Sequence, residues 1–350
     1  MKISIIIPVF NCEKYLEKCL DSVLQQSFQD FEIILVNNGS LDDSAKVCAA
    51  YADRDGRIVY VQKEKNSGGA GEPRNKGLEV AKGDYIMFLD ADDYLADNAL
   101  ETMYNEIISM DYDVVIAGYH NFSEDGMIQN DVVLEEREFV SEKEVRDYFV
   151  SVYPNGEAGY IWNKIYKADI IRHFGIKFPE MQRLEDGFFN VDFFTHVHKC
   201  KITSAMTYHY KLNDLSELYR KSPQNYADLI IQLMDHYYDT IAEWGYEPEE
   251  VEGEVIKFGL NELEVCFENV VVNSYPLSRQ ERKEYFRNLR ANQRVKYMLL
   301  RKKYVARYVR IVMSFFGLGW YVPMRLLVKC KVWMKGNCKG MFLKIKKHVN

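Results

Sequence analysis

The chain has 350 residues, 47% of them hydrophobic and 28% charged, which suits a large buried core and argues against disorder. Its seven cysteines (Cys12, Cys19, Cys48, Cys200, Cys266, Cys330, Cys338) are odd in number, scattered and without a C-x-x-C, so neither a disulfide framework nor a zinc knuckle is expected and a reducing compartment is the simplest setting. The net charge of −7 hides an asymmetry: residues 279–350 carry 20 Lys and Arg against only Glu281 and Glu284, about +18 beside about −25 in the rest. That split calls for an acidic partner of the basic end, membrane lipid or nucleic acid.

Met1-Lys2 runs directly into the apolar stretch Ile3 to Phe10, too short for a signal segment with a cleavage site, so it reads as a buried strand of a protein that stays inside the cell. Up to about residue 117, short β-branched runs alternate with amphipathic helices, the pattern of a mostly parallel sheet covered on both faces. Strands are expected over Ile3–Val9, Ile33–Val36, Ile58–Val61, Tyr85–Leu89 and Val114–Ala117. Asn11 can cap a helix whose apolar residues Tyr15, Leu16, Cys19, Leu20, Val23 and Leu24 fall at helical spacing, and Ser44–Tyr51, Pro73–Ala81 and Asn98–Ser109 supply the next three. Ligands of such sheets bind beyond the carboxyl ends of the strands, which draws attention to Asn11, Asn37-Asn38-Gly39-Ser40 and Asp90-Ala91-Asp92-Asp93. From Gly118 to about Tyr210 the order loosens, with a helix opened by the capping box Ser141 to Glu144. After Leu215 the chain reads as helices, with long patterns over 226–244 and 249–272.

Three features carry chemistry. The strand ending in L-D-A-D-D (Leu89 to Asp93) gathers three carboxylates within four positions, a concentration of like charge that a divalent cation bridging a diphosphate would offset; an exposed turn capping the next helix is the alternative. The loop Glu64 to Gly77 has three glycines before a proline at a helix start, where backbone can approach phosphate and Arg74 can offer a forked donor, although glycine-rich turns are common. Glu185-Asp186 opens a helix bearing Phe188, Phe189, Val191 and Phe193, as a general base or as first-turn acids favoured by the helix dipole.

Together, and in this order, these features resemble the family 2 glycosyltransferases with the GT-A fold. The likeness rests on Ile3 to Asn11, Ser22 to Phe28, Phe31 to Ser40, Pro73 to Leu78 and Gly83 to Asp93, then on I-W-N-K-I-Y (Ile161 to Tyr166), L-E-D (Leu184 to Asp186) and Y-H-Y-K (Tyr208 to Lys211), which are similar to capsule and cell-wall members. It implies an α/β fold with a Rossmann-like mixed sheet and a helical C-terminal extension: a nucleotide-sugar-binding half over 1–117, an acceptor side over 118–215, helices over 216–278 and a basic amphipathic part over 279–350. It further implies a nucleotide-sugar site at Pro8, Asn11, Asn38, Arg74, Asp90 and Asp92, a divalent cation (Mn2+ or Mg2+) on Asp92 with Asp90 assisting, and Asp186 as the base for inverting attack. Glu185 and Trp162 are candidates for the acceptor side, the acceptor being a glycan or polyprenyl-linked species; Trp162 and Tyr208–Tyr210 could stack on sugar rings or equally pack within the subdomain. Where the family usually has two aspartates before Gly-Ser, this chain has Asn37-Asn38; an asparagine carbonyl can still accept the uracil imide N–H, so a UDP-sugar is expected.

His196, His198 and Cys200 invite a metal reading, but alternate spacing sends such side chains to different faces. Residues 295–334 mix cations with Tyr304, Tyr308, Phe315, Phe316, Trp320, Tyr321 and Trp333, as a helix in a headgroup interface would, and the uncharged Ile311–Met324 is too short to span. This predicts peripheral attachment to the cytoplasmic face of a membrane and no nucleic-acid partner. Two rival classes are a catalytically silent GT-A subunit that only binds nucleotide sugar and a nucleotidyltransferase. The latter would need a glycine-rich loop where Pro8-Val9-Phe10-Asn11 stands.

Overall fold

The computed structural model describes residues 1–124, 126–154, 156–212, 223–271, 275 and 277–337. It divides into one unit formed by residues 1–152 and 156–213 and another formed by 153–155 and 214–350. In the first unit the uninterrupted apolar run Ile3–Val9 makes β1, flanked in parallel by β2 (Phe31–Asn38) and, on its other side, β4 (Tyr85–Phe88), with β3 (Ile58–Lys63) beyond β2. A parallel strand covered on both faces needs no alternation, and β2 is buried at every position.

The later strands of this unit complete the same sheet. β5 (Tyr94–Leu95), β6 (Val114–Phe122), β7 (Ile128–Val132), β8 (Arg137–Phe139), β9 (Lys164–Lys167) and β10 (Cys200–Lys211) give the order β3-β2-β1-β4-β9-β6-β10-β5, with β7 beside β6 and β8 beside β10. β9 is antiparallel to both its neighbours, β4 and β6. The sheet is therefore the mixed α/β sheet implied above, and the strand expected to end at Ala117 runs on to Phe122.

The helices α1 (Glu13–Leu24), α2 (Ser44–Arg54), α3 (Gly71–Val80) and α4 (Ala99–Ser109) connect these strands. On α1, Leu16, Cys19, Leu20 and Val23 are buried at helical spacing against Ile5, Ile7 and Ile33 of the core. Asn11 does not cap it: α1 begins after Cys12 without a side-chain cap, and Asn11, at φ 51, accepts the Leu41 N–H (2.8 Å) through Oδ1. It ties the β1 exit to the β2 exit instead. Gly77 lets α3 lie on β1, since a Cβ there would fall 2.4 Å from Ile6 Cγ2. In α5 (Glu142–Val152) the capping box holds, with Ser141 and Glu144 each accepting the other's backbone N–H. Two short helices, α6 (Gly156–Gly159) and α7 (Ala168–Phe174), precede α8 (Glu185–Phe194).

The second unit is helical: α9 (Tyr226–Glu243), α10 (Pro248–Val271), α11 (Arg279–Ala291), α12 (Gln293–Leu300), α13 (Arg307–Gly317) and α14 (Tyr321–Asn337). Several cations of the basic end face acids of α10. Lys331 pairs with the buried Glu264 and with Glu268 (2.8 Å), Lys335 with Glu268 (2.7 Å), and Glu252 takes Arg301 and the hydroxyls of Tyr297 and Tyr304 (3.0 Å each). The uncharged stretch Ile311–Met324 is broken by a turn at Gly319 (φ 74). No helix among the described residues is long and apolar enough to cross a membrane.

Candidate active site

The parallel strands β1, β2 and β4 release their chain ends on one side, and the polar residues singled out above stand there. Pro8 is the penultimate residue of β1, paired with Val36, and Asn37-Asn38 end β2. Asn38 is buried and engaged on both sides: its Nδ2 donates to Asn66 Oδ1 (3.1 Å) and Gly69 O (3.2 Å), while its Oδ1 accepts from Lys63 Nζ (2.8 Å) and from the N–H and hydroxyl of Ser67 (3.2 Å each). A carboxylate could not make the two donations. The asparagine in place of the usual aspartate thus pins the glycine loop to the end of β2. That loop also shows why glycine is required, because a Cβ on Gly69 would fall 2.1 Å from Met181 O. The close approach is to another stretch of backbone, a role that the sequence spacing did not distinguish from phosphate contact.

Arg74, on α3, is buried, and its guanidinium gathers three carboxylates from distant parts of the chain. Nη1 donates to Glu185 (2.9 Å) and Asp186 (2.7 Å), and Nη2 donates to Asp90 (2.8 Å). Four of the residues picked from the sequence thus meet at one point, joined by charge-assisted bonds. Leu184, just before the two acids, sits at φ 72, a costly conformation for a residue with a branched side chain, which fixes the direction in which α8 begins. Burial pushes the Asp186 carboxyl up to about 7, against the pull of Arg74, with the charges of Glu185 and Asp90 adding to the rise.

The remaining acids of the β4 exit divide the work. Asp93 is buried; it accepts the Tyr208 hydroxyl (2.8 Å) and the Lys211 N–H (2.7 Å), and burial, followed by the charges of Asp92 and Asp90, holds its carboxyl well above the usual range. Tyr208 also accepts the Asp90 N–H (3.1 Å), so Asp93 and Tyr208 together shape the turn. Asp92 is part-exposed, with Lys211 Nζ at 3.8 Å. Among the described residues no three His, Cys, Asp or Glu side chains converge into a ready cation cage. Asp92 with Asp90 nevertheless fits a hard cation that keeps waters and arrives with a diphosphate, since such ions take one or two carboxylates plus substrate phosphates. His196 stacks on Phe174, His198 lies 3.5 Å from Glu142, and Cys200 is buried in β10, so these three have separate partners.

Trp162 is only 3% exposed, stacked between Tyr208 (4.5 Å), Tyr210 (4.9 Å) and Tyr160 (4.9 Å). It backs the tyrosine that holds the acidic turn, whereas Tyr160 of the same stack is 41% exposed. The sequence reading missed Tyr160 and the position of Lys211 against Asp92. The neighbouring I-W-N-K-I-Y run was the available signal for the first.

Residues 4–165 match the family described as glycosyl transferase family 2. The glycosyltransferase GlyA of Streptococcus pneumoniae serotype 4 is 29% identical over 250 residues, covering 70% of this chain and 35% of that protein. The uncharacterized glycosyltransferase EpsJ of Bacillus subtilis strain 168 is 31% identical over 212 residues, 60% of this chain and 61% of that one. This chain thus matches less than two thirds of the length of either. The crystal structure of S. aureus TarS 1–349 in complex with UDP-GlcNAc shares the fold, with a TM-score of 0.67 at 20% identity over 96% of this chain and 92% of that chain.

Proposed function

We propose that this chain, whose residues 4–165 match the glycosyl transferase family 2, is an inverting glycosyltransferase that moves a sugar from a nucleotide diphosphate sugar, a UDP-sugar first, to a hydroxyl of a glycan or lipid-linked acceptor in cell-surface polysaccharide synthesis. The observation that carries the reading is the single guanidinium of Arg74, which couples Asp90 on the donor side to Glu185 and Asp186 across from it. In the reaction Asp186 removes the acceptor hydroxyl proton as that oxygen bonds to the anomeric carbon, while the bond from that carbon to the diphosphate oxygen breaks and the electron pair leaves with the nucleotide. Attack in line with the leaving group inverts the centre, and no covalent enzyme intermediate is needed. Asp92 and Asp90 would hold Mn2+ or Mg2+, which when bound neutralises the charge growing on the diphosphate. Arg74 keeps the Asp186 carboxylate aimed and partly ionised. Peripheral attachment to the inner face of the cell membrane through residues 279–350 would bring a lipid-linked acceptor to the site.

Incubating the protein with a panel of UDP-sugars and membrane lipid extract, with Mn2+, Mg2+ or chelator, should release UDP and label lipid only when a divalent ion is present. Tight UDP-sugar binding without any turnover would instead favour the catalytically silent subunit. Asp92→Asn should lower turnover at least about tenfold and abolish the stimulation of nucleotide binding by metal, because a neutral amide is a poorer ligand for a hard cation; isothermal titration with and without Mn2+ reads the second effect. Tyr160→Ala should raise the acceptor KM roughly tenfold, the loss of one stacking surface, and leave donor hydrolysis unchanged. An unaltered acceptor KM would remove Tyr160 from the site.

A further inference from the structure

We propose that the corner of the second unit where α11 meets the α13–α14 turn seats on an anionic bilayer and takes lipid phosphates; this rests on the peripheral attachment proposed above and names its surface. A cavity of about 510 Å3 opens there, lined by Arg279, Arg282 and Lys283 of α11 and Arg325 of α14, together with Trp320 and Val322. No acid lines it among the described residues. Tyr321 Oη and Arg325 Nε, both covered, have no hydrogen-bond partner among the described residues. A second hollow, lined by Arg287, Arg290, Lys296 and Lys302, adjoins the same turn, because the Arg290 guanidinium lies against Gly319, where a Cβ would fall 2.6 Å from Nη1.

α11 itself carries two acids. Glu281 is engaged in the capping box with Ser278, and Glu284 makes only an exposed 3.7 Å pair with Arg287. Arg294, Arg301, Lys331 and Lys335 of the basic end lie outside both hollows, paired with acids inside their own unit. Cations from α11, α12 and α14 thus gather about the turn. At the same turn, exposed side chains are apolar: Leu318, Trp320, Val322 and Leu326 are 57–71% exposed. Cations ringing apolar side chains match a bilayer surface, with phosphates outside and hydrocarbon beneath. Nucleic acid would meet the cations and could stack on Trp320, but offers nothing to Leu318, Val322 and Leu326.

The full chain is mixed with phosphatidylcholine vesicles with or without phosphatidylglycerol, at low and high salt, and sedimented. Arg279→Gln/Arg282→Gln/Lys283→Gln should weaken binding to anionic vesicles at low salt on the order of a hundredfold, about fivefold for each removed cation. Trp320→Ala/Val322→Ser should remove the part of the binding that survives high salt. Lysine at Arg279 and Arg282 should retain binding, and Lys46→Gln/Lys76→Gln/Lys143→Gln, an equal loss of charge in the first unit, should bind as the unaltered chain does. Unaltered affinity of the first variant or an equal loss in the control would each overturn the assignment. UDP-sugar hydrolysis without lipid is followed in parallel. If it is absent while the vesicle pattern holds, the catalytic reading fails and the membrane face stands; if hydrolysis is present and the pattern absent, the reverse is true.

Discussion

Asparagine at position 186 is expected to lower kcat by roughly 10²-fold or more while leaving nucleotide-sugar affinity nearly intact. The side chain keeps its size and can still accept one hydrogen bond from Arg74, so the geometry that binds donor is undisturbed; the amide simply cannot take the acceptor proton. The pH profile separates this from a structural effect. Burial, with Glu185 and Asp90 adding and Arg74 opposing, places the Asp186 carboxyl at about 7, and a base works only when ionised. In the unaltered protein kcat/KM should therefore fall about tenfold for each pH unit below that value and level off above it. The variant should lose this acid limb. A normal rate with collapsed donor affinity would show that Asp186 holds the fold rather than the proton.

Removing the guanidinium should be felt in stability as much as in rate. Arg74→Met leaves Asp90, Glu185 and Asp186 facing one another with no cation between them, and breaking a buried ion pair from one side costs about 3–5 kcal/mol. Asp90 and Asp186 are 29% and 26% exposed and recover some hydration, which puts the expected loss near the lower end, about 3 kcal/mol. Thermal unfolding should shift down by roughly 6–12 °C. Without the cation nothing opposes the burial that already raises the Asp186 carboxyl in the folded chain, so the deficit should be largest at neutral pH and above and shrink as acid protonates that group. Melts at pH of about 5 and about 8 check the sign, and a deficit that grows in acid would exclude this origin.

How much of this was legible follows from range in sequence. β1 and β2 are unbroken β-branched runs, and α1 carries its buried face at regular spacing, so local pattern sufficed. β9 gave no such sign, since Lys164-Ile165-Tyr166-Lys167 holds two lysines, yet Lys164 is fully buried, with its ammonium donating to Asn163 Oδ1 (2.9 Å) and to the Tyr160 carbonyl. β10 is likewise polar along much of its length. Within the site, residue types and strand ends pointed to Arg74, Asp90 and Asp186 one at a time. That Arg74 reaches across 112 positions to Asp186 is a property of the folded sheet, not of any window of sequence. Asn11 misled because a residue able to cap a helix was equally able to bind the neighbouring loop.

The interleaving of strands has a consequence for how such a protein could change what it acts on. β9 comes late in the chain yet lies between β4 and β6, and β5, which comes early, is the outermost strand, beyond β10. A crossover that grafted a relative's residues from 118 onward would cut β6 in mid-strand, and would ask a foreign β9 to find register on a native β4 and a foreign β10 to receive a native β5. Most such recombinants should mispair. New acceptor preference would then arise by point changes on exposed side chains such as Tyr160 and by altered loops, and a designer shuffling homologues would do better to exchange the whole of 1–213 than either of its halves.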